Sequence, residues 1–141
     1  MGALVSGRIA LVVSNKPEAY ALVRAAKAGV ETAVLPKAKG ESTLAYGQRL
    51  VELLAAHAID MVVLAGFLLI LDACVIRAYS GRILNVHPSL IPAFCGPGYY
   101  GLRVHEAALA RGVKVTGATV KNKSSTQEKS PRKLLWKIRM S

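Results

Sequence analysis

The sequence has no apolar run long enough to cross a bilayer. The longest, Met61–Leu71, covers 11 residues between Asp60 and Asp72, against about 20 for a spanning helix. Its first residues, Met1-Gly2-Ala3-Leu4-Val5-Ser6-Gly7, lack both a basic region feeding an apolar stretch and the Arg- and Ser-rich pattern of a transit peptide. They point to a cytoplasmic protein without membrane contact. Cysteine is scarce as well: Cys74 and Cys95 stand in unlike contexts without metal-ligand spacing, so free reduced thiols are expected, and neither a disulfide framework nor a metal site. Acidic residues number 8 against 19 basic ones, a net charge of +11.

That excess does not describe a nucleic-acid binder, because it is unevenly placed. Residues 1–120 carry 5 Lys and 7 Arg against 7 acids, a net +5, whereas residues 121–141 carry 5 Lys and 2 Arg against Glu128 alone, a net +6. From Lys121 to Lys133 the residues are almost all polar, too few of them apolar to offset the entropy of ordering the segment. The expected organisation is therefore an α/β domain over 1–120 and a basic, disordered tail over 121–141 whose only nucleic-acid contacts are non-specific. With 52% hydrophobic residues and a mean hydropathy of +0.35, the chain suits one ordinary soluble domain.

Within 1–120, strand-like and helix-like patterns alternate. Ile9–Val13 is a β-rich run followed by Pro17, a residue suited to a first helical turn. Ala19, Leu22, Val23 and Ala26 then form a helical stripe closed by Gly29. Thr32–Leu35 reads as a second strand. Ser42 suits the cap of a helix with the stripe Tyr46, Leu50, Leu53 and Leu54, although Gly47 inside it costs about 1 kcal/mol relative to Ala. Met61–Ala65 is apolar on both faces, as in a central parallel strand covered by helices on each side. Asp72 suits the next cap, Arg82–Asn85 a fourth strand, Val104, Ala107 and Ala108 a helix stopped by Gly112, and residues 114–120 a fifth strand. The alternation predicts a doubly wound, mostly parallel α/β sheet of Rossmann-like form, with ligands beyond the carboxyl ends of its strands.

The segment at the end of the fourth strand is the informative one. In extended backbone Asn85 and His87 project to the same side, and Pro88 holds His87 extended. An Asn N–H donates to a carbonyl oxygen that gains charge on attack, and a His of near-neutral pKa moves the proton from attacking amine to leaving group. This chemistry suits acyl transfer to an amine. The competing reading is a loop asparagine beside a structural histidine. Gly96-Pro97-Gly98-Tyr99-Tyr100-Gly101 follows no strand and lacks a Lys-Ser/Thr ending, so it reads as a turn and not a phosphate loop.

Ser14-Asn15-Lys16, Ala65-Gly66-Phe67-Leu68-Leu69-Ile70-Leu71, Asn85-Val86-His87-Pro88-Ser89-Leu90 and Val115-Thr116-Gly117-Ala118-Thr119-Val120 together resemble the glycinamide (phosphoribosylglycinamide) ribonucleotide formyltransferase family of purine biosynthesis, over residues 8–120. The resemblance implies a Rossmann-like formyltransferase fold and transfer of a formyl group from the cosubstrate 10-formyltetrahydrofolate to the amine of glycinamide ribonucleotide. It further implies that Asn85 polarises the formyl oxygen, that His87 is the general acid, and that Leu68, Leu69, Ile70 and Leu71 wall the pteridine pocket and offer it backbone hydrogen bonds.

The text departs from the family in three places. A first strand and a phosphate-cradling Gly/Ser/Asn turn are expected before Arg8. A strand and an Asp-Gly-Gly loop, whose Asp pairs with the catalytic His, are expected after Val120. Thr43 and Leu69 stand where polar or basic residues are common. The resemblance therefore describes a chain truncated at its N-terminus with an aberrant C-terminal tail. Sister folate enzymes of the same fold, formyltetrahydrofolate deformylase and methionyl-tRNA formyltransferase, and a non-catalytic remnant remain alternatives at this point.

Overall fold

In the computed structural model, residues 7–96 and 98–123 are described. The chain alternates β1 (Leu11–Ser14), α1 (Tyr20–Lys27), β2 (Glu31–Val34), α2 (Thr43–Ala56), β3 (Val62–Leu64), α3 (Ala73–Ala78), β4 (Ile83–His87), α4 (Leu102–Ala110) and β5 (Thr119–Lys123). β1 pairs with β2 in parallel, β3 with β4 in parallel, and β4 with β5 antiparallel. The class is α/β and mostly parallel. The strands form two ladders, β1-β2 and β3-β4-β5, where a single sheet was expected. No helix among the described residues is long and apolar enough to cross a membrane.

Local signals place most of the helices. The Ser42 hydroxyl accepts from Ala45 N at 3.0 Å and caps α2. The Asp72 carboxylate accepts from Cys74 N at 2.9 Å and caps α3. Each satisfies an N–H that the first turn leaves without a helical partner. Gly29 takes a left-handed φ of 70° just past α1, as expected of a closing glycine. The start of α1 differs from the sequence reading: Pro17 lies in a turn, Ala19 is the N-cap, and the buried residues are Leu22 and Ala25 while Val23 is exposed. With only two strands to cover, a narrower stripe is buried than the sequence pattern offers.

One core holds both ladders. Leu35, Tyr46, Leu50, Leu54, Leu64, Val75, Tyr79 and Ile83 form its buried cluster, and Val13 of β1 packs against it. α2 is fastened over this core at several points. The Tyr46 hydroxyl donates to Leu35 O at 2.9 Å, and Arg49 bridges Pro36 O and the Glu41 carboxylate, the latter at 2.7 Å. Cys74 and Cys95 are both free thiols.

Gly47, costly inside a helix on propensity alone, has a packing reason. A Cβ at this position would stand 2.9 Å from Asp72 Cβ and 2.9 Å from Cys74 Sγ, so α2 and α3 approach each other through the missing side chain. We therefore expect Gly47→Ala to destabilise the fold by about 1–3 kcal/mol, the cost of overpacking, and not to gain the ~1 kcal/mol of helix propensity. Urea denaturation reads the difference, and an unchanged or raised midpoint would contradict it.

The fifth strand begins five residues later than the sequence suggested and continues through Lys121, Asn122 and Lys123, the first residues of the basic segment. The cause is register: these three pair with Asn85, Leu84 and Ile83, and the ladder extends the strand against the local composition. The remainder of the expected tail, 124–141, lies outside the described residues.

Candidate active site

β4 is buried on alternate residues: Ile83, Asn85 and His87 face inward, Leu84 and Val86 less so. The period-2 pleat thus puts an amide and an imidazole on one face, at 2% and 0% exposure. Polar groups buried this deeply need partners or a ligand. The His87 ring reaches Phe94 O from Nε2 at 3.3 Å. Asn85 Oδ1 is buried with no hydrogen-bond partner among the described residues. A half-turn of the amide presents its NH2 there instead, so the position suits either a ligand N–H or a ligand carbonyl.

The loop after β4 is held by hydroxyls that the sequence reading did not single out. Ser89 Oγ donates to Ala93 O at 2.7 Å. Thr119 Oγ1 donates to Ser89 O at 2.7 Å and accepts from Ile91 N at 3.0 Å, which ties the Pro88–Pro92 turn to β5. The visible signal was the Thr119 position opposite His87 in the antiparallel register, and pairing partners are not legible in a linear text. Gly117 adds to this closeness, since a Cβ there would come within 3.0 Å of Leu90 Cδ2. Beyond the turn, the Phe94 ring meets Tyr99 edge-on at 6.1 Å, and Arg111 lies 5.4 Å over its face.

Leu68, Leu69, Ile70 and Leu71 lie in the irregular segment leaving the carboxyl end of β3, beside the ladder position where Leu64 pairs with Asn85. Their side chains divide. Leu68 and Ile70 are exposed, whereas Leu69 and Leu71 pack against the core cluster, so Leu69 and Leu71 have chiefly backbone groups to offer a ligand. A surface hollow of about 360 Å³ between α2 and α3 is lined by residues including Val51, Ile59, Tyr79 and Arg82. None of the four segment residues, nor Asn85 or His87, lines it.

The electrostatics at His87 run one way. Burial pushes the imidazole below the ordinary histidine value of 6.5, and the Lys121 cation on the neighbouring strand lowers it further, while the Phe94 carbonyl opposes both. Desolvation is the larger of the two lowering causes. The ring is therefore neutral at pH 7.

The formyl transferase profile matches residues 3–124 of the sequence. The chain belongs to this family. Among its curated relatives, the chloroplastic phosphoribosylglycinamide formyltransferase of Arabidopsis thaliana is 38% identical over 117 residues, covering 82% of this chain and 40% of that protein. The phosphoribosylglycinamide formyltransferase of Escherichia coli K12 is 40% identical over 116 residues, covering 82% and 52%. The solved structure of glycinamide ribonucleotide transformylase 1 from Symbiobacterium toebii superposes with a TM-score of 0.72 at 39% identity, covering 91% of this chain and 58% of that one. This member of the formyl transferase family thus spans about half the length of the curated relatives it matches.

Two outcomes follow from the site's geometry. In an NMR titration, His87, assigned with a His87→Ala variant, should titrate below 6.5, and Lys121→Glu should raise that value; a His87 pKa clearly above 7 in the unaltered chain would overturn the account. Thr119→Val removes the hydroxyl that serves both Ser89 O and Ile91 N. It should cost about 1–3 kcal/mol for the buried groups left unsatisfied, read by urea denaturation, and a loss under 0.5 kcal/mol, the range of about ±0.5 kcal/mol usual at featureless surface positions, would show the tie to be incidental.

Proposed function

We propose that the chain carries the chemical site of a phosphoribosylglycinamide formyltransferase of purine biosynthesis, moving a formyl group from 10-formyltetrahydrofolate to the amine of glycinamide ribonucleotide in the cytoplasm. The carrying observation is the pair Asn85 and His87, buried together on one face at the carboxyl end of β4. Ligands of open α/β sheets bind at that end of the strands. The names of the Arabidopsis and Escherichia coli relatives support the choice of acceptor.

In this reading the Asn85 amide rotates its NH2 toward the formyl oxygen and stabilises the negative charge that develops there as the amine attacks, a contribution of the oxyanion-hole type. His87 takes the proton that the attacking amine releases and, as the imidazolium so formed, hands it to the departing folate nitrogen. The apolar side chains of Leu68 and Ile70, with the backbone of Leu69 and Leu71, form a wall against which a flat pteridine ring stacks and from which water is excluded. The donor is a cosubstrate that supplies the formyl group. Among the described residues no three His, Cys, Asp or Glu side chains gather into a cluster able to hold a metal ion. Non-specific contacts of the basic segment with polyanions are a further, sequence-independent property.

Burial disfavours the imidazolium through which that proton must pass, so transfer by this chain should be slow, more than tenfold below the enzymatic median of about 10 per second. It should still depend on the pair: Asn85→Ala and His87→Ala each lower single-turnover formyl transfer by about 10²-fold or more. Rapid-quench assays with both substrates decide. A rate indifferent to both substitutions would remove the site, and a rate near the median would contradict the burial cost at His87.

A further inference from the structure

The His87 ring sits beside a group that fixes where its proton is. Its Nε2 lies 3.3 Å from Phe94 O, and a backbone carbonyl only accepts. Nε2 therefore carries the hydrogen of that bond. In a neutral imidazole one nitrogen donates and the other accepts, and the bond made by the first decides the second. Nδ1 is thus the nitrogen with the lone pair, the atom able to take a proton.

The Phe94 carbonyl returns to the ring from seven residues along the chain because the backbone between them is held in an unusual shape. Phe94 has a φ of 48°, in the left-handed region that a residue with a bulky side chain rarely enters. Such a conformation persists only where its surroundings impose it. Ser89 supplies part of that constraint. It is 1% exposed and donates its hydroxyl to Ala93 O at 2.7 Å, which fixes the plane of the peptide joining Ala93 to Phe94. Its own carbonyl accepts from Thr119 Oγ1 at 2.7 Å, which anchors Ser89 to β5, the strand paired with His87. Ala93 N donates to Leu90 O at 3.0 Å and Cys95 Sγ to Pro92 O at 3.0 Å, and both bonds close the same turn.

We propose that Ser89 is a positioning residue for His87, holding the Phe94 carbonyl against Nε2 so that Nδ1 is the nitrogen that exchanges protons with the substrates. The exchange rests on the formyl-transfer reading; the tautomer and the part played by Ser89 do not. As the amine attacks the formyl carbon, its N–H bond breaks with the electrons staying on nitrogen, and the proton bonds to Nδ1. The imidazolium so formed has a hydrogen on each nitrogen. The same proton then leaves Nδ1 for the folate nitrogen, which takes the electron pair of its breaking bond to the formyl carbon. Nε2–H is unchanged throughout, and no proton is gained or lost. The Phe94 carbonyl sets the tautomer before attack and favours the imidazolium after it, in opposition to burial and to Lys121. Without the Ser89 hydroxyl, Ala93 O loses this donor and the peptide plane is released to turn.

Nitrogen NMR of the histidine rings in the full 141-residue chain tests the proposal first without any variant, the His87 signals being those lost in His87→Ala. At a pH well above the ordinary histidine value of 6.5, Nε2 should resonate as a protonated nitrogen and Nδ1 as an unprotonated one. The reverse pattern, or an even mixture of the two, overturns the proposal. Ser89→Ala should move both signals toward the mixture and lower the His87 pKa further. Unchanged signals in that variant remove Ser89 from the account. Gly47→Ala, which loosens the fold at another place, should leave the signals where they are; an equal shift there would show a response to general destabilisation and overturn the role of Ser89. In single-turnover assays at saturating substrate, Ser89→Ala should slow formyl transfer roughly ten- to a hundredfold, the scale of a misplaced reacting group, with substrate affinity unchanged. Loss of transfer in His87→Ala but not in Ser89→Ala defeats the proposal and leaves the formyl-transfer reading standing. Transfer indifferent to both defeats that reading, and the tautomer is then decided by the ring signals alone.

Discussion

β4 places an amide and an imidazole in the protein interior only because it has a strand on each side. Its backbone is satisfied by β3 and β5, so the strand needs no water along its edges, and the pleat then drives every second side chain inward. Ile83 anchors that face in the apolar core, and Asn85 and His87 follow it at the same spacing. The rest of the site depends on this arrangement. The segment 65–71 leaves β3 next to the paired Asn85, and the turn after His87 is tied back to β5 through Thr119.

The same burial that positions His87 also governs its charge. Removing an imidazole from water disfavours its protonated form, and a lysine on the neighbouring strand adds to the effect. His57 shows the opposite case on the surface. At the end of α2 its ring contacts Leu53 O at 2.8 Å and the Glu31 carboxylate at 3.1 Å, and these raise its pKa. Its contribution to stability is therefore full below 6.5 and fades as pH rises through the raised value, whereas the buried His87 favours unfolding as pH falls below 6.5. The two histidines pull the acid side of the stability profile in opposite directions.

What the sequence made legible was local chemistry. Ser42 and Asp72 cap helices, Gly29 closes one, and the Asn85-x-His87 spacing sets both residues on one face, each a consequence of a few neighbouring residues. The features that were not legible depend on distant partners. β5 extends into a lysine-rich stretch because β4 pairs with it, Thr119 acts through a loop thirty positions earlier in the chain, and Gly47 is required by Asp72 and Cys74 of another helix. The exposure of Val63 is of the same kind, since an apolar strand reads as covered whether or not its covering is there.

The lysines of β5 have an effect on how the molecule meets its own copies. Lys121 and Lys123 fall two residues apart on the strand that ends the β3-β4-β5 ladder, and burial, with the Lys121 cation adding to it, holds the Lys123 ammonium below its ordinary value. A copy approaching that border edge to edge would bring a second pair of cations against the first, so sheet extension is opposed there. Strand addition by a second copy is thereby disfavoured along β5.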